Sequence, residues 1–250
     1  MFMFDHFEIN HESDAPKALS NRQLEIAART CCIVPIYNEA TVIEGCIADL
    51  RTIFPNILVI DDGSTDDSAS KAKKSGAQVI QHTLNVGQGL ALLTGFKWVQ
   101  RQNKFKNIVT FDGDGQHVAH DALRLVEELE NSSLDIVFGS RFLGYEGSNT
   151  PTKKRIVLKI VTKITNTLTG VKLSDAHNGL RALTVEASSA IDLTQTGMAH
   201  ASQIISLTHQ ANLKYHEIPV NVLYTSYSTK KGQSILNSVN IVADLVWSET

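Results

Sequence analysis

Asn107-Ile-Val-Thr-Phe111 runs straight into Asp112-Gly-Asp114-Gly-Gln116-His117. A short run of branched and aromatic residues predicts a strand. Two carboxylates, one residue apart, follow at its C-terminal end. Across one small residue both can turn toward the same point, and in open α/β sheets that edge is where ligands bind. Two hard carboxylate oxygens there suit Mg²⁺ or Mn²⁺, held by few protein ligands and completed by substrate phosphates. Gln116 adds a neutral oxygen. A lone Asp-x-Asp reads as readily as a solvated acidic turn; the strand before it and three motifs upstream point instead to a ligand site.

On either side of this stretch, short apolar runs alternate with helical periodicity. Strands are expected at 30–35, 57–60, 78–81, 107–111 and 135–139, and helices at 39–51, 66–75, 87–101 and 121–131. Val42, Ile43, Cys46, Ile47 and Leu50 form one apolar face of the first helix. This alternation predicts an α/β fold, a mostly parallel Rossmann-like sheet with helices on both faces. Past residue 140 the rhythm loosens into a loop at 140–151, a helix at 152–168, a strand region at 175–183, a helix at 199–211, a strand at 215–222 and a last helix at 234–247. Nothing marks a linker, so a single domain is expected.

The 250 residues suffice for one large α/β core, and 42% hydrophobic with 20% charged residues is ordinary for a globular protein. A net charge of −3 gives no bulk electrostatic case for nucleic acid. No run approaches the ~20 apolar residues of a membrane span. The opening Met-Phe-Met-Phe is cut by Asp5 and His6, so it does not read as a signal peptide. Cys31, Cys32 and Cys46 fit no disulfide or zinc pattern. Adjacent in a strand, Cys31 and Cys32 alternate faces and read as small buried hydrophobes, in keeping with a reducing compartment.

Three more strand ends carry residues that stability alone does not explain. In Pro35-Ile-Tyr37-Asn38-Glu39, Pro35 is expected to end the strand and Asn38 to cap the helix, which leaves Tyr37 and Glu39 unexplained. In Asp61-Asp62-Gly-Ser-Thr-Asp66, a helix cap accounts for the last residues, with Thr65 or Asp66 as N-cap, but not for paired Asp61 and Asp62, which could accept from a base N–H and ribose hydroxyls. Asn85-Val-Gly87-Gln-Gly89-Leu-Ala91 opens a helix with two glycines, leaving room for a ligand against backbone N–H groups. Leu92 stands where a dinucleotide fingerprint needs its third glycine, which weighs against an oxidoreductase. Arg141, after the next strand, can grip a phosphate oxygen pair through its fork, and Arg181 is read the same way.

Taken in order, these motifs resemble family 2 glycosyltransferases of the GT-A fold, over about residues 30–235. Gln116-His117, Gly139-Ser-Arg141-Phe142 and Asn178-Gly-Leu-Arg181 are similar to the dolichol-phosphate mannose synthase and polyprenyl-phosphate glycosyltransferase subgroup. The resemblance implies a catalytic domain at 29–250, with 1–28 as an N-terminal extension carrying one helix at 21–29. It implies that Pro35, Tyr37, Glu39, Asp61 and Asp62, with Gly87 and Gly89, hold a UDP- or GDP-linked sugar. Asp112 would contact that sugar nucleotide and the metal, and Asp114 and Gln116 would be metal ligands. Where the family carries an Arg before Gly-x-Ser, this chain has Lys230-Lys231-Gly232, and Lys230 or Lys231 can replace the charge but not the fork.

The acceptor is read from what is missing. A sugar hydroxyl needs a general base, yet Gly197-Met-Ala-His200-Ala-Ser-Gln203 has neither Asp nor Glu where many family members place one. A phosphate is already anionic, and Arg141, Arg155 and Arg181 are its candidate contacts; Asp175 and His200 stay open as bases. In the helix at 152–168, Arg155, Lys159 and Lys163 form a basic stripe beside a broad apolar face of Ile156, Val157, Ile160, Val161, Ile164 and Leu168. That pattern suits an anionic membrane surface as well as a core-packed helix. The expectation is a cytoplasmic, metal-dependent, inverting enzyme, peripheral to the inner membrane and held there by a second amphipathic surface or a small membrane protein. Transfer to a growing capsule or lipopolysaccharide glycan, and a non-catalytic nucleotide-sugar-binding subunit, stand open as alternatives.

Overall fold

The computed structural model describes residues 18–144, 152–195 and 199–224. In chain order the elements are α1 (Asn21–Ala28), β1 (Thr30–Ile36), α2 (Ile43–Arg51), β2 (Ile57–Asp61), α3 (Ser68–Lys74), β3 (Gln78–Gln81) and α4 (Gln88–Gln102). Then come β4 (Asn107–Thr110), α5 (Ala119–Asn131), β5 (Ile136–Ser140), α6 (Thr152–Thr169), β6 (Arg181–Thr184), α7 (Val185–Ser188), α8 (His200–Gln210) and β7 (Tyr215–Pro219).

The strands form one sheet in the order β3-β2-β1-β4-β6-β5-β7. The first four are parallel, as the βαβ rhythm requires, and β5 pairs with β7 in parallel. β6 runs antiparallel between β4 and β5. Every residue of β1, β2, β4 and β5 is buried, the pattern of a sheet covered on both faces. One face packs α1, α2 and α5 through Ile26, Ile47, Leu50, Leu123 and Val126 against Cys32, Val34 and Val59. The other packs α4 and α8 through Phe96, Val99, Ile204 and Ile205 against Cys31, Ile33, Leu58 and Ile60. Cys31 and Cys32 thus enter opposite core layers as buried free thiols, and burial pushes the Cys31 thiol up to about 12, beyond useful reactivity.

Several local expectations need correction. β1 runs through Pro35, which is in register with Ile60. Ile33 O accepts from Phe111 N on the β4 side and Ile36 O from Asp62 N on the β2 side. Alternation therefore aims Pro35 beyond the last β4 pairing, where its missing N–H costs no ladder bond. Asn38 does not cap α2. Its backbone is left-handed (φ 54°) and its Oδ1 accepts from Thr65 N at 2.9 Å. Residues 39–42 form a turn, so α2 starts at Ile43. The strand region at 175–183 shortens to β6 because residues 174–179 form the loop that carries Asp175. The expected helix at 234–247 and Lys231 lie outside the described residues.

Candidate active site

Parallel β1, β2, β4 and β5 end at one sheet edge, and antiparallel β6 begins there. That edge gathers Tyr37 and Glu39 after β1, Asp61 and Asp62 at the end of β2, Asp112 and Asp114 after β4, Arg141 after β5, and Asp175 and His177 before β6.

The first two motifs interlock through hydrogen bonds. Ser64 Oγ accepts from Asn38 N at 2.9 Å, Ser68 Oγ from Glu39 N at 2.7 Å, and Asp66 Oδ2 from Ala40 N at 3.1 Å. The hydroxyls of Ser64 and Ser68 donate in turn to Asp61 and Asp66. Ser64 and Asp66 therefore fix the Tyr37–Glu39 turn, and the N-cap of α3 is Asp67, not the expected Thr65 or Asp66. Tyr37 remains 44% exposed at the rim. Asp61 is fully buried, and its Oδ2 has no hydrogen-bond partner among the described residues. It is the carboxylate of the pair with an unpartnered oxygen.

Asp62 is committed differently. Its Oδ1 accepts from Val86 N at 3.0 Å and pairs with His82 Nδ1 at 2.9 Å, and its Oδ2 accepts from Gly87 N at 2.7 Å. His82 Nε2 lies 3.0 Å from Thr94 Oγ1 of α4. Asp62 thus moors the loop that leads into α4. Gly89 faces protein, not open space: a Cβ there would stand 2.0 Å from Gln195 O and 2.8 Å from His200 Cβ.

Asp112 is held from two sides. Its Oδ1 accepts from Gln88 Nε2 at 2.9 Å, and its Oδ2 lies 3.2 Å from His117 Nε2. Burial opposes its charge, but the His117 bond and the positive field of His117, Arg181 and His200 outweigh it and hold the carboxyl low. Asp114 is pushed up to about 6, first by burial and then by the Asp112 charge; Glu39 adds to the push. Asp114 Oδ1 accepts from Gln116 N at 3.0 Å. A carboxylate pair whose second member is pushed up by burial and by the first fits a divalent cation. Among the described residues no group of three or more His, Cys, Asp or Glu converges to hold one. Asp112 and Asp114, with Gln116 two residues on, could supply only part of a coordination shell, the remaining oxygens coming from ligand and water, as hard cations accept.

On the far side, Arg141 Nε donates to Asp175 Oδ2 at 2.6 Å, Nη2 to His177 O at 2.9 Å, and Nη1 reaches Tyr224 Oη at 3.5 Å. Asp175 is buried and also accepts from Arg141 N at 3.1 Å. Arg181 is buried behind Asp112, with Nε and Nη1 unpartnered among the described residues. Burial lowers it to about 10 against the pull of Asp112 and Asp175, so it stays charged. Burial, helped by Arg141 and Arg181, lowers His177 to about 4. His200, at the start of α8, is buried. Arg155 and Lys159 of α6 stand 5.9 and 5.8 Å from the Phe142 ring, which Arg141 approaches to 5.9 Å. The site therefore unites the carboxylates, Arg141, Asp175 and Arg181, and leaves Arg155 at its mouth.

Residues 31–191 match the model of glycosyl transferase family 2. An uncharacterized protein of Methanocaldococcus jannaschii is 36% identical over 218 residues, 86% of this chain and 89% of that protein. The UDP-N-acetylglucosamine--dolichyl-phosphate N-acetylglucosaminyltransferase of Methanococcus voltae is 28% identical, over 82% of this chain and 89% of its own. The polyprenol monophosphomannose synthase of Mycolicibacterium smegmatis is 29% identical, over 85% and 83%. In fold, the chain is similar to glucosyl-3-phosphoglycerate synthase from Mycobacterium tuberculosis, crystallised with Mg²⁺ and UDP, with a TM-score of 0.68 and 17% identity over 92% of this chain and 83% of that one. The strand-end motifs from Pro35 to Arg181 fall inside the matched segment, and the chain belongs to glycosyl transferase family 2, a glycosyltransferase of GT-A fold.

Proposed function

We propose that the enzyme moves a sugar, with inversion, from a UDP- or GDP-linked donor to a polyprenyl phosphate at an anionic membrane surface. The carrying observation is the Asp112/Asp114 pair, whose second member is pushed up to about 6 by burial and by the first. Relatives named for dolichyl-phosphate and polyprenol acceptors support the choice of acceptor.

Asp61 Oδ2 accepts a base or ribose donor, with Tyr37 flanking and Pro35, Glu39 and Gly87 shaping the floor. Asp62 acts on the donor indirectly, through the 84–87 loop. Asp112, Asp114 and Gln116 would hold Mg²⁺ or Mn²⁺, which when bound neutralises charge growing on the leaving diphosphate. Gln88 and His117 hold Asp112 ready, so no reorganisation is needed as that charge develops. Arg141, drawn tight by Asp175, offers its remaining N–H groups to the acceptor phosphate, and Arg155 and Lys159 attract it from the mouth. Arg181 supplies positive field from behind. With Asp175 bound to Arg141 and His200 buried, an acceptor that brings its own negative charge suits the site better than a hydroxyl needing a base.

A screen of nucleotide sugars against a short polyprenyl phosphate, followed by solvent extraction, tests this. Lipid-linked monosaccharide should form with Mn²⁺ or Mg²⁺ and disappear in EDTA, and Asp114→Ala should lose at least ~10²-fold in rate. Full turnover in chelator would remove the metal role. A lengthened glycan in place of the lipid product would favour the glycan-acceptor alternative.

A further inference from the structure

Arg141 owes its pose to a loop whose segment 174–175 is fastened from beneath by a side chain of the edge strand, while α6 holds its flanks at Leu173 and Ala176. Glu217 of β7 accepts from Ser174 N at 2.6 Å, from Asp175 N at 3.1 Å and from the Ser174 hydroxyl at 3.2 Å. The same Asp175 receives Arg141 through both its backbone N and its Nε. A second line runs in parallel. Phe142 N donates to Ser140 Oγ at 3.1 Å, and Ser140 Oγ lies 2.6 Å from Ser174 Oγ. Since Ser174 gives its proton to Glu217, Ser140 is the donor to Ser174. Each hydroxyl thus donates one hydrogen bond forward, and the line ends on Glu217. Three donors converge on that residue, so only a group with acceptor oxygens alone satisfies them all.

The sheet does not need this carboxylate. β5 and β7 pair through their backbones, with Phe138 in register with Glu217. What the carboxylate adds is a fixed backbone at 174–175, and with it the place of Asp175. We propose that Glu217 is the positioning residue for Arg141: it sets the loop that presents Asp175 to the guanidinium, and so governs the grip on the acceptor phosphate. The last step rests on the acceptor reading given above.

Glu217→Gln is the informative change, because its amide turns a donor toward at least one of three donors. The Arg141 Nε–H resonance is followed by ¹⁵N NMR and identified by its absence in Arg141→Lys. In Glu217→Gln its exchange with water should quicken at least about tenfold, and KM for polyprenyl phosphate should rise about tenfold, with donor KM and kcat within about twofold. Glu217→Asp, which keeps an acceptor-only group, should restore part of both effects; it also serves if the Gln variant does not fold. An unchanged Arg141 signal in a folded Glu217→Gln protein overturns the inference. A quickened signal with unchanged acceptor KM leaves Glu217 as the positioning group and overturns the acceptor reading of Arg141.

Discussion

A Cβ at Gly179 would stand 1.9 Å from Asp112 Oδ2, too close for any L side chain without moving one of them. Gly179→Ala should therefore displace Asp112 from Gln88 and His117, cutting kcat by about 10²-fold with little loss of donor binding; near-normal kcat would show that Asp112 tolerates the shift. His177 supplies a pH test. Its folded value of about 4 lies below its ordinary 6.5, chiefly through burial. Its contribution to stability is complete above about 6.5 and is lost as pH falls toward 4, because only the unfolded chain accepts the proton. Wild type should lose more stability over that window than His177→Gln, by up to about 3 kcal/mol; parallel denaturant midpoints would refute it. Asp112 and Asp114 were legible because strand, spacing and chemistry are all local in sequence. Gly179, His177 and Glu217 were not, because their neighbours come from the antiparallel insertion of β6 between β4 and β5.

Element existence was legible wherever apolar periodicity was strong, and the alternation of strands and helices gave the fold class. Boundaries failed where side chains serve other elements. Asn38 had the chemistry of a cap, but its amide oxygen is spent on Thr65 N across the interlock of the first two motifs. Asp61 and Asp62 looked equivalent, yet one keeps a spare oxygen and the other moors the 84–87 loop. That division yields a prediction. Asp62→Asn places an amide donor against Val86 N, Gly87 N or His82, so the loop should loosen while the core stays intact. Hydrogen exchange at Val86 and Gly87 should rise at least about tenfold and donor KM several-fold, with the melting temperature nearly constant. Unchanged exchange at those amides would return Asp62 to a direct ligand role.

At the scale of the whole molecule, α6 joins the site to an outer surface. Its inner side bonds the loop that carries Asp175: Thr162 Oγ1 accepts from Ala176 N at 3.2 Å, and Asn166 Nδ2 donates to Leu173 O at 2.7 Å. Leu158 and Val161 complete that inner face. Ile156 and Ile160 are each left 55% exposed, among exposed Arg155, Lys159 and Lys163. Periodicity could not divide the apolar face this way, because it does not reveal that polar threonine and asparagine are needed inward. No helix among the described residues is long and apolar enough to cross a membrane. The outward isoleucines and cations instead suit a lipid surface at the mouth where Arg155 and Lys159 flank Phe142. Each basic residue near anionic lipid contributes about 1 kcal/mol, and a fully buried isoleucine about 1.5–3 kcal/mol. On the proposed lipid-acceptor reading, their sum would give reversible, salt-sensitive attachment. Flotation with anionic liposomes should recover part of the protein. Recovery should fall in high salt and in Lys159→Glu with Lys163→Glu. Ile156→Ser with Ile160→Ser should weaken attachment even at low salt, because the apolar contribution is not screened. A protein that ignores anionic liposomes and transfers sugar freely to a water-soluble glycan would transfer the role of α6 to glycan binding and overturn the lipid-acceptor reading.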